Sequence, residues 1–219
     1  PGPAPGPRAP RSASGRALGF WSYTTVIADV AAPFEPYISD FESQAREWVP
    51  IEKVDGLTLH PGFADSWPAL RDVVPRHPLL IVDAANVVGA RPDGWWKDRP
   101  AAAGRLREGL SSLRAMGVDA TALGLGGTRW FADMTMVLEG EARSLEADDG
   151  PIAVVEAARD GDGELVAEVS RQIAAGRAAA DVTVVTSDRE LADRVGALGA
   201  TVQGAGWLWA QVDALGESA

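Results

Sequence analysis

Cysteine is absent from the 219-residue sequence, which excludes disulfide bonds, thiolate metal sites and a cysteine nucleophile. There are only two histidines, His60 and His77, so a zinc site built from several histidines is also excluded. No apolar run approaches the roughly 20 residues of a membrane-spanning helix. The N-terminus is rich in proline and glycine and lacks the apolar segment of a signal peptide, so we expect a cytoplasmic protein without a membrane partner.

Positive charge is also scarce. Lys and Arg number 20 against 31 Asp and Glu, which gives a formal net charge of −11 and an isoelectric point near 4.6. This balance argues against a protein that coats nucleic acid through bulk positive charge. It leaves room for an enzyme whose carboxylates hold a cation against a phosphate. Hydrophobic residues make up 46% of the chain, which indicates a packed core.

Proline and glycine divide the chain into three regions. Residues 1–19 carry few large apolar side chains, and we predict a disordered tail because such a segment does not offset the entropy cost of ordering. Residues 20–76 form a second region. Its pattern predicts two strands and one helix, over residues 21–28, 46–50 and 64–74. Two strands and a helix make a poor core, so this region should pack on the rest of the chain or on a second copy.

Strand and helix patterns alternate from residue 77 to the end of the chain. The predicted strands cover residues 79–82, 134–138, 152–155, 182–186 and 201–202. The predicted helices cover residues 105–116, 164–175, 190–198 and 207–215. This alternation predicts an α/β domain with a central, mostly parallel sheet and helices on both faces.

Acidic residues follow several of these strands. In open parallel sheets, ligands bind beyond the carboxyl ends of the strands, so acids at those ends should lie close together. They are Asp83 after the first strand, Glu139 after the second, Asp160, Asp162 and Glu164 after the third, and Asp188 after the fourth. Asn86 lies in the turn after Asp83, where its amide can point back to the same edge.

Grouped carboxylates raise one another's pKa, so their convergence implies a bound cation. Oxygen ligands without Cys or His suit Mg²⁺ or Mn²⁺, and such an ion activates water for attack on a phosphodiester. Structural roles stay open for Asp188 as a helix N-cap and for residues 160–164 as a solvated turn. Asp83 is harder to explain in this way, because a charge after four apolar residues is costly without a partner.

Aromatic and basic residues follow the first acidic motif. Trp95, Trp96, Lys97 and Arg99 are candidates for stacking bases and holding phosphates at the edge of the sheet. The alternative is that both tryptophans pack beneath a loop and the charges are solvated. The tryptophans of the predicted C-terminal helix suit a core or an interface, so this helix and the second region are the candidate contacts of a homodimer.

Two short motifs resemble those of a known nuclease family. The segment V-D-A-A-N-V-V-G at residues 82–89 resembles the D-x-x-N motif of the NYN family, part of the PIN-like nuclease superfamily that includes the YacP-like proteins. The segment V-V-T-S-D-R at residues 184–189 resembles the family's T-S-D motif. The resemblance covers about residues 79–205. It implies a three-layer, Rossmann-like PIN fold and metal-dependent hydrolysis of RNA.

The same resemblance implies roles for individual residues. Asp83, Asp162 and Asp188 would be metal ligands, Asn86 would orient the catalytic site, and Ser187 would support it. Relatives often carry two adjacent acids at the central motif, whereas Gly163 follows Asp162 in this chain. The departure implies that Asp160 or Glu164 compensates, or that the site binds its metal weakly.

Residues 20–74 resemble the C-terminal half of a Nudix hydrolase domain. The resemblance rests on W-S-Y-T-T-V at residues 21–26, on residues 42–50, and on L-H-P-G-F at residues 59–63. Nudix chemistry depends on the box G-x5-E-x7-R-E-x-x-E-E, which this chain does not contain. The segment is therefore expected to be catalytically silent and to serve as packing or as a dimer surface.

The leading hypothesis is a Mg²⁺- or Mn²⁺-dependent nuclease acting on single-stranded or structured RNA. The first alternative is a Nudix-type nucleoside triphosphate pyrophosphohydrolase whose box is missing from this chain. The second is a non-catalytic module that binds nucleic acid or takes part in assembly.

Overall fold

A computed structural model of the chain describes residues 10–18, 21–38, 41, 45–144, 150–158 and 160–216. Its strands are β1 Pro10–Leu18, β2 Trp21–Ala28, β3 Leu79–Asp83, β4 Val118–Asp119, β5 Arg129–Trp130, β6 Asp133–Leu138, β7 Ala153–Glu156, β8 Val182–Val185 and β9 Thr201–Gln203. Its helices are α1 Pro61–Val73, α2 Ala84–Gly89, α3 Arg99–Met116, α4 Gly161–Ala174, α5 Arg189–Gly196 and α6 Ala205–Gly216. Short 3₁₀ turns cover Ile51–Gly56, Trp95–Lys97, Thr121–Leu123, Gly140–Ser144 and Ala179–Asp181.

A parallel sheet of five strands forms the centre of the protein, in the order β7-β6-β3-β8-β9. All five residues of β3 are buried, as expected for a central strand covered on both faces. The predicted α/β class with a mostly parallel central sheet is therefore confirmed. The predicted strands and helices of this region are all present, and α3 begins six residues earlier than its pattern indicated.

Two apolar clusters separate the layers of the domain. Leu80 and Val82 of β3 pack with residues of α2, α3 and α6 on one face of the sheet. Leu79 and Ile81 pack with residues of α4 and α5 on the opposite face. Side chains alternate along a strand, so the sheet is the middle of three layers. Trp207 and Trp209 pack against the first cluster, in agreement with their expected place in the core.

The N-terminal region differs from its prediction over residues 10–18. These residues form β1, which pairs antiparallel with β2 along its length and with β5 on its other side. Backbone hydrogen bonds between strands do not require large apolar side chains, so a pattern based on hydrophobicity does not find this strand. The remaining residues of the predicted tail, 1–9 and 19, lie outside the described residues.

The other elements of this region are partly as predicted. Helix α1 is present, and its Trp67 and Leu70 are buried. Residues 45–50 do not form the predicted strand. Instead, the Trp48 indole N–H donates to the Phe34 carbonyl oxygen at 2.9 Å, and the two rings meet edge to face. Trp48 is therefore held by a contact with Phe34 and not by strand pairing.

Candidate active site

The carboxyl end of β3 places a carboxylate at the edge of the sheet. Asp83 is in phase with Ile81, so it belongs to the face that α4 and α5 cover. Only 8% of Asp83 is exposed. Burial raises the pKa of its carboxyl, two hydrogen bonds lower it, and the negative charges of Asp162 and Glu139 raise it, with a net rise above the ordinary value.

Hydrogen bonds hold the Asp83 carboxylate at both oxygens. Its Oδ1 accepts the Asn86 backbone N–H at 3.1 Å, which caps the short helix α2. Its Oδ2 accepts the Thr186 hydroxyl at 2.9 Å. The same Thr186 oxygen accepts the backbone N–H of Asp188 at 3.1 Å. Thr186 therefore links Asp83, at the end of β3, to Asp188, at the start of α5.

A second set of hydrogen bonds runs parallel to the first. The Asn86 side-chain oxygen accepts the Ser187 backbone N–H at 2.8 Å. The Ser187 hydroxyl oxygen in turn accepts the Ala205 backbone N–H, at the start of α6, at 3.1 Å. Asn86 and Ser187 thus fix the loop between β8 and α5 against α2 and α6. Both residues have a positioning role in this structure.

Asp162 lies in the first turn of α4 and faces the other acids. Burial raises the pKa of its carboxyl, and the charges of Asp188, Asp160 and Glu139 raise it as well. The positive charge of Arg194 acts in the opposite direction without reversing the rise. The carboxylates of distant segments therefore lie close enough to interact, as the topology predicted.

Two of the predicted ligands also cap helices. Asp160 caps α4, with its oxygens accepting the backbone N–H groups of Asp162 at 3.2 Å and Gly163 at 3.1 Å. Asp188 caps α5 through the Leu191 N–H at 2.9 Å. These bonds confirm the structural roles left open by the sequence. They also fix the direction in which each carboxylate points, since a capping side chain is held by backbone groups.

Two glycines make room for carboxylates around Asp162. A Cβ at Gly161 would lie 2.3 Å from Glu139 Oε2, and a Cβ at Gly163 would lie 2.7 Å from Asp160 Oδ2. The carboxylate of Asp160 therefore occupies the space that a side chain at position 163 would need. Of the two acids expected to compensate, Asp160 is the one that interacts with Asp162.

Glu164 is directed elsewhere in the structure. Its Oε1 accepts a hydrogen bond from Arg171 at 2.8 Å, seven residues along α4, and Arg171 also pairs with Glu168. A carboxylate at the second helical position after Asp162 points along a different side of the helix. The predicted place of Glu164 among the ligands is therefore not supported by its contacts.

Sequence reasoning gave too little weight to two residues. The sequence places Glu139 among the converging acids but not among the expected ligands, and in the structure its carboxylate lies against Gly161 and raises the pKa of Asp83 and Asp162. Thr186 was seen only as part of a motif, yet its side chain bonds to Asp83. Gly161, directly before Asp162, was the sequence signal for Glu139, because a glycine often marks a place where another group approaches the backbone closely.

The donor set suits a hard cation, because it consists of carboxylate oxygens whose mutual repulsion is only partly relieved. Among the described residues, no three His, Asp or Glu side chains are grouped closely enough to hold a metal ion directly. Mg²⁺ usually keeps several waters and takes one or two protein carboxylates. The residues present fit that manner of binding.

The predicted substrate-binding residues lie between α2 and α3 and at the start of α3. Trp95, Trp96 and Lys97 make a 3₁₀ turn, and Arg99 begins α3. Trp95 is half-buried, while Trp96 and Lys97 are exposed. The loop therefore buries one of the two tryptophans and leaves the other free to meet a ligand.

Comparison with solved structures finds Rae1 (YacP) from Bacillus subtilis. It is 17% identical, with a TM-score of 0.48, over 64% of this chain and 76% of that one. A single-residue variant of the same protein gives 16% identity and a TM-score of 0.47 over 64% and 78% of the two chains. No family model matches the chain.

A different relative appears among curated proteins. The chain is 41% identical over 63 residues to "Putative 8-oxo-dGTP diphosphatase 3" from two strains of Mycobacterium tuberculosis. This match covers 29% of this chain, and the chain spans only 29% of the length of that protein. It is a partial Nudix-like match. Within the described residues, no helix is long and apolar enough to cross a membrane.

Proposed function

We propose that this protein is a metal-dependent nuclease that hydrolyses phosphodiester bonds, with RNA as its substrate, at the carboxyl edge of the central sheet. The observation that supports this most is the buried Asp83, tied through Thr186 to the backbone of Asp188 and facing Asp162. A buried acid with a raised pKa beside further acids is typical of a functional site.

One or two of the carboxylates of Asp83, Asp162 and Asp188 would bind a Mg²⁺ or Mn²⁺ ion directly, and the others would bind it through its waters. When bound, such an ion polarises the phosphate and lowers the pKa of the attacking water. The chain itself supplies the positioning. Two hydrogen bonds fix the Asp83 carboxylate, and the N-termini of α4 and α5 carry the other acids at the same edge. Positive helix ends there also favour an anionic substrate.

The test is cleavage of a labelled single-stranded RNA with Mn²⁺ or Mg²⁺ by the wild type and by Asp83→Asn. We expect the variant to lose more than about 100-fold in rate, because even residues behind a metal ligand change activity 10- to 100-fold. Asp65→Asn is the matched control, since Asp65 is exposed on α1, away from the sheet edge. Circular dichroism checks that each variant is folded.

Each outcome separates the hypotheses. Equal cleavage by wild type and Asp83→Asn would assign the activity to another site or to a contaminant. Absence of cleavage in all proteins over RNA and DNA substrates would favour the non-catalytic module. A DNA substrate cleaved in preference to RNA would correct the substrate.

A second candidate function is supported by the diphosphatase match. The match covers 63 residues, which is close to the length of the Nudix-like segment. The matched protein is named as an 8-oxo-dGTP diphosphatase, so nucleoside triphosphates, oxidised ones included, are candidate substrates of a complete Nudix-type domain. This sequence does not contain the Nudix box, so the carboxylates of the box would have to come from another segment or chain. Product identity in the same assay decides: oligonucleotide fragments indicate the nuclease, and a nucleoside monophosphate with pyrophosphate indicates the alternative.

A further inference from the structure

The exposed indole of Trp96 is held on a short, well-supported turn. Gly94 precedes the turn with φ at +86°, a conformation that favours glycine. The Asp93 carboxylate accepts the Trp95 backbone N–H at 3.1 Å and pairs with Arg105 at 3.2 Å. These contacts tie the N-terminal side of the turn to the second turn of α3. Trp96 is nevertheless 58% exposed.

The half-buried Trp95 ring packs against the Trp96 ring. The two rings meet edge to face with centroids 6.1 Å apart, and the Arg99 guanidinium lies 5.5 Å from the centre of the Trp95 ring. Trp95 also lies against the end of α2, where a Cβ at Gly89 would be 3.9 Å from its ring. The Trp96 ring is therefore presented by packed neighbours, and stacking a ligand on it costs little ordering entropy.

The turn lies at the opposite end of α2 from Asp83, since Trp95 is next to Gly89. Asp83 caps α2, whose six residues correspond to about 9 Å. Nearby, Arg99 lies 3.8 Å from Glu141, two residues beyond Glu139. At the roughly 3.4 Å rise of a stacked strand, about three nucleotides span the length of α2. A strand with its phosphate at the acids thus reaches the tryptophan turn.

Charge at the turn suits a phosphate backbone. Lys97 is exposed and forms no ion pair with a carboxylate in the part of the chain that the structure describes. The chain carries a formal net charge of −11, and this exposed ammonium group is a local positive charge next to exposed Asp98. An indole face beside an ammonium group matches one base and its phosphate.

We propose that Trp96 is a stacking platform for an unpaired base, which makes the acidic edge selective for single-stranded nucleic acid. A base inside a duplex has both faces covered by its neighbours and cannot stack on the indole. The proposal deepens the proposed function and rests on it for the nature of the ligand. It gives Trp96 a binding role and Trp95 a positioning role.

Binding without cleavage tests the proposal. The protein carries Asp83→Asn, and the probe is a fluorescent single-stranded RNA oligonucleotide compared with the same sequence as a duplex. Trp96→Ala should weaken single-strand binding about 5- to 150-fold, the range for loss of one stacked base, and leave duplex binding little changed. Trp96→Phe should restore most of the affinity, because phenylalanine also offers a ring face.

Trp48→Ala is the matched control, since Trp48 is 57% exposed and belongs to the N-terminal region. It should leave RNA binding unchanged. Loss of less than 2-fold in Trp96→Ala, equal loss in Trp48→Ala, or equal loss for duplex would overturn the proposal. So would a complete lack of binding to both probes.

Failure of the proposed function gives a different pattern. Selective, Trp96-dependent binding together with no cleavage by the wild type leaves the platform and removes the nuclease. Cleavage that depends on Asp83 but not on Trp96, with duplex and single strand cut equally, leaves the nuclease and removes the platform.

Discussion

The two edges of the central sheet treat their acids in opposite ways. At the amino edge, Asp133 accepts hydrogen bonds from Arg114 at 2.9 Å and Arg177 at 3.1 Å. Burial acts to raise the pKa of Asp133, but these bonds outweigh it and the pKa is lowered. At the carboxyl edge, the pKa of Asp83 and of Asp162 is raised.

A buried acid at the amino edge makes the contrast sharper. Asp181 is 4% exposed, and it pairs with Arg76 and accepts the His77 backbone N–H at 2.7 Å. Both of these acids of the amino edge have a cation of the chain beside them. The acids of the carboxyl edge have one another, with exposed Arg194 as the cation that acts on Asp162. This difference is the reason for proposing that a ligand supplies positive charge at the carboxyl edge.

Breaking the amino edge should have the largest effect on stability. Arg76→Ala leaves the buried carboxylate of Asp181 with only part of its bonding. We expect the free energy of unfolding to fall by about 2–4 kcal/mol, near the cost of removing one partner from a buried ion pair. Urea denaturation at neutral pH measures this change. Arg71→Ala, which breaks an exposed pair with Asp55, is the control and should cost under about 1 kcal/mol. Equal losses in the two variants would contradict the contrast.

Moving one acid of the carboxyl edge should reduce activity more than stability. A Cβ in Gly161→Ala displaces the Glu139 carboxylate, because the two would lie 2.3 Å apart. We expect cleavage to fall about 10-fold or more, as for residues next to a metal ligand. Stability should change little, because alanine favours a helix by about 1 kcal/mol over glycine and this gain offsets the cost of displacing the Glu139 side chain.

Gly196→Ala in α5 is the matched control, because no atom lies within 4 Å of its Cβ position. It should keep full cleavage activity. Unchanged activity in Gly161→Ala would remove Glu139 from the site.

Neutralising an acid of the carboxyl edge should produce the smallest effect, with a distinctive dependence on pH. The folded-state pKa of Asp162 lies above its ordinary value of 3.8, so the protonated form is favoured by folding. That contribution is complete below the unfolded pKa and is lost as the pH rises through the folded-state pKa. Asp162→Asn should therefore stabilise the metal-free protein at pH 7 by under about 1 kcal/mol, because the group is partly exposed.

Thermal melts over pH and Mn²⁺ concentration check this prediction. The advantage of Asp162→Asn should disappear below about pH 4, where the wild-type acid is protonated as well. Mn²⁺ at pH 7 should raise the melting temperature of the wild type more than that of the variant. A variant that is less stable than the wild type at pH 7 without metal would show that Asp162 is a structural acid.

The central domain was largely predictable from local patterns. Apolar runs such as Leu79–Val82 identify buried strands, because only such strands remain apolar on both sides. The rule that ligands bind at the carboxyl ends of parallel strands then selected Asp83 and Asp188 before their geometry was known. The N-terminal region was less predictable, since β1 is held by backbone pairing that leaves little trace in side-chain pattern.

The role of each acid depends on which groups the fold places around it. Glu164 and Asp160 are equally plausible ligands in sequence, but Arg171 pairs with the former while the latter caps α4. Likewise, the bond from Thr186 to Asp83 joins residues more than a hundred positions apart. No local pattern contains such a pairing.

The sequence by itself determined the class of the fold, the edge at which the acids gather and the oxygen character of the site. These follow from periodicity, strand order and residue type, which act over a few neighbouring positions. Only the tertiary structure decided which carboxylates stay together, that Glu139 lies against Gly161, and that Trp96 is exposed while Trp95 is half-buried. Those outcomes depend on burial and on charges brought together from separate strands and helices, and such long-range energies are set only once the whole chain is folded.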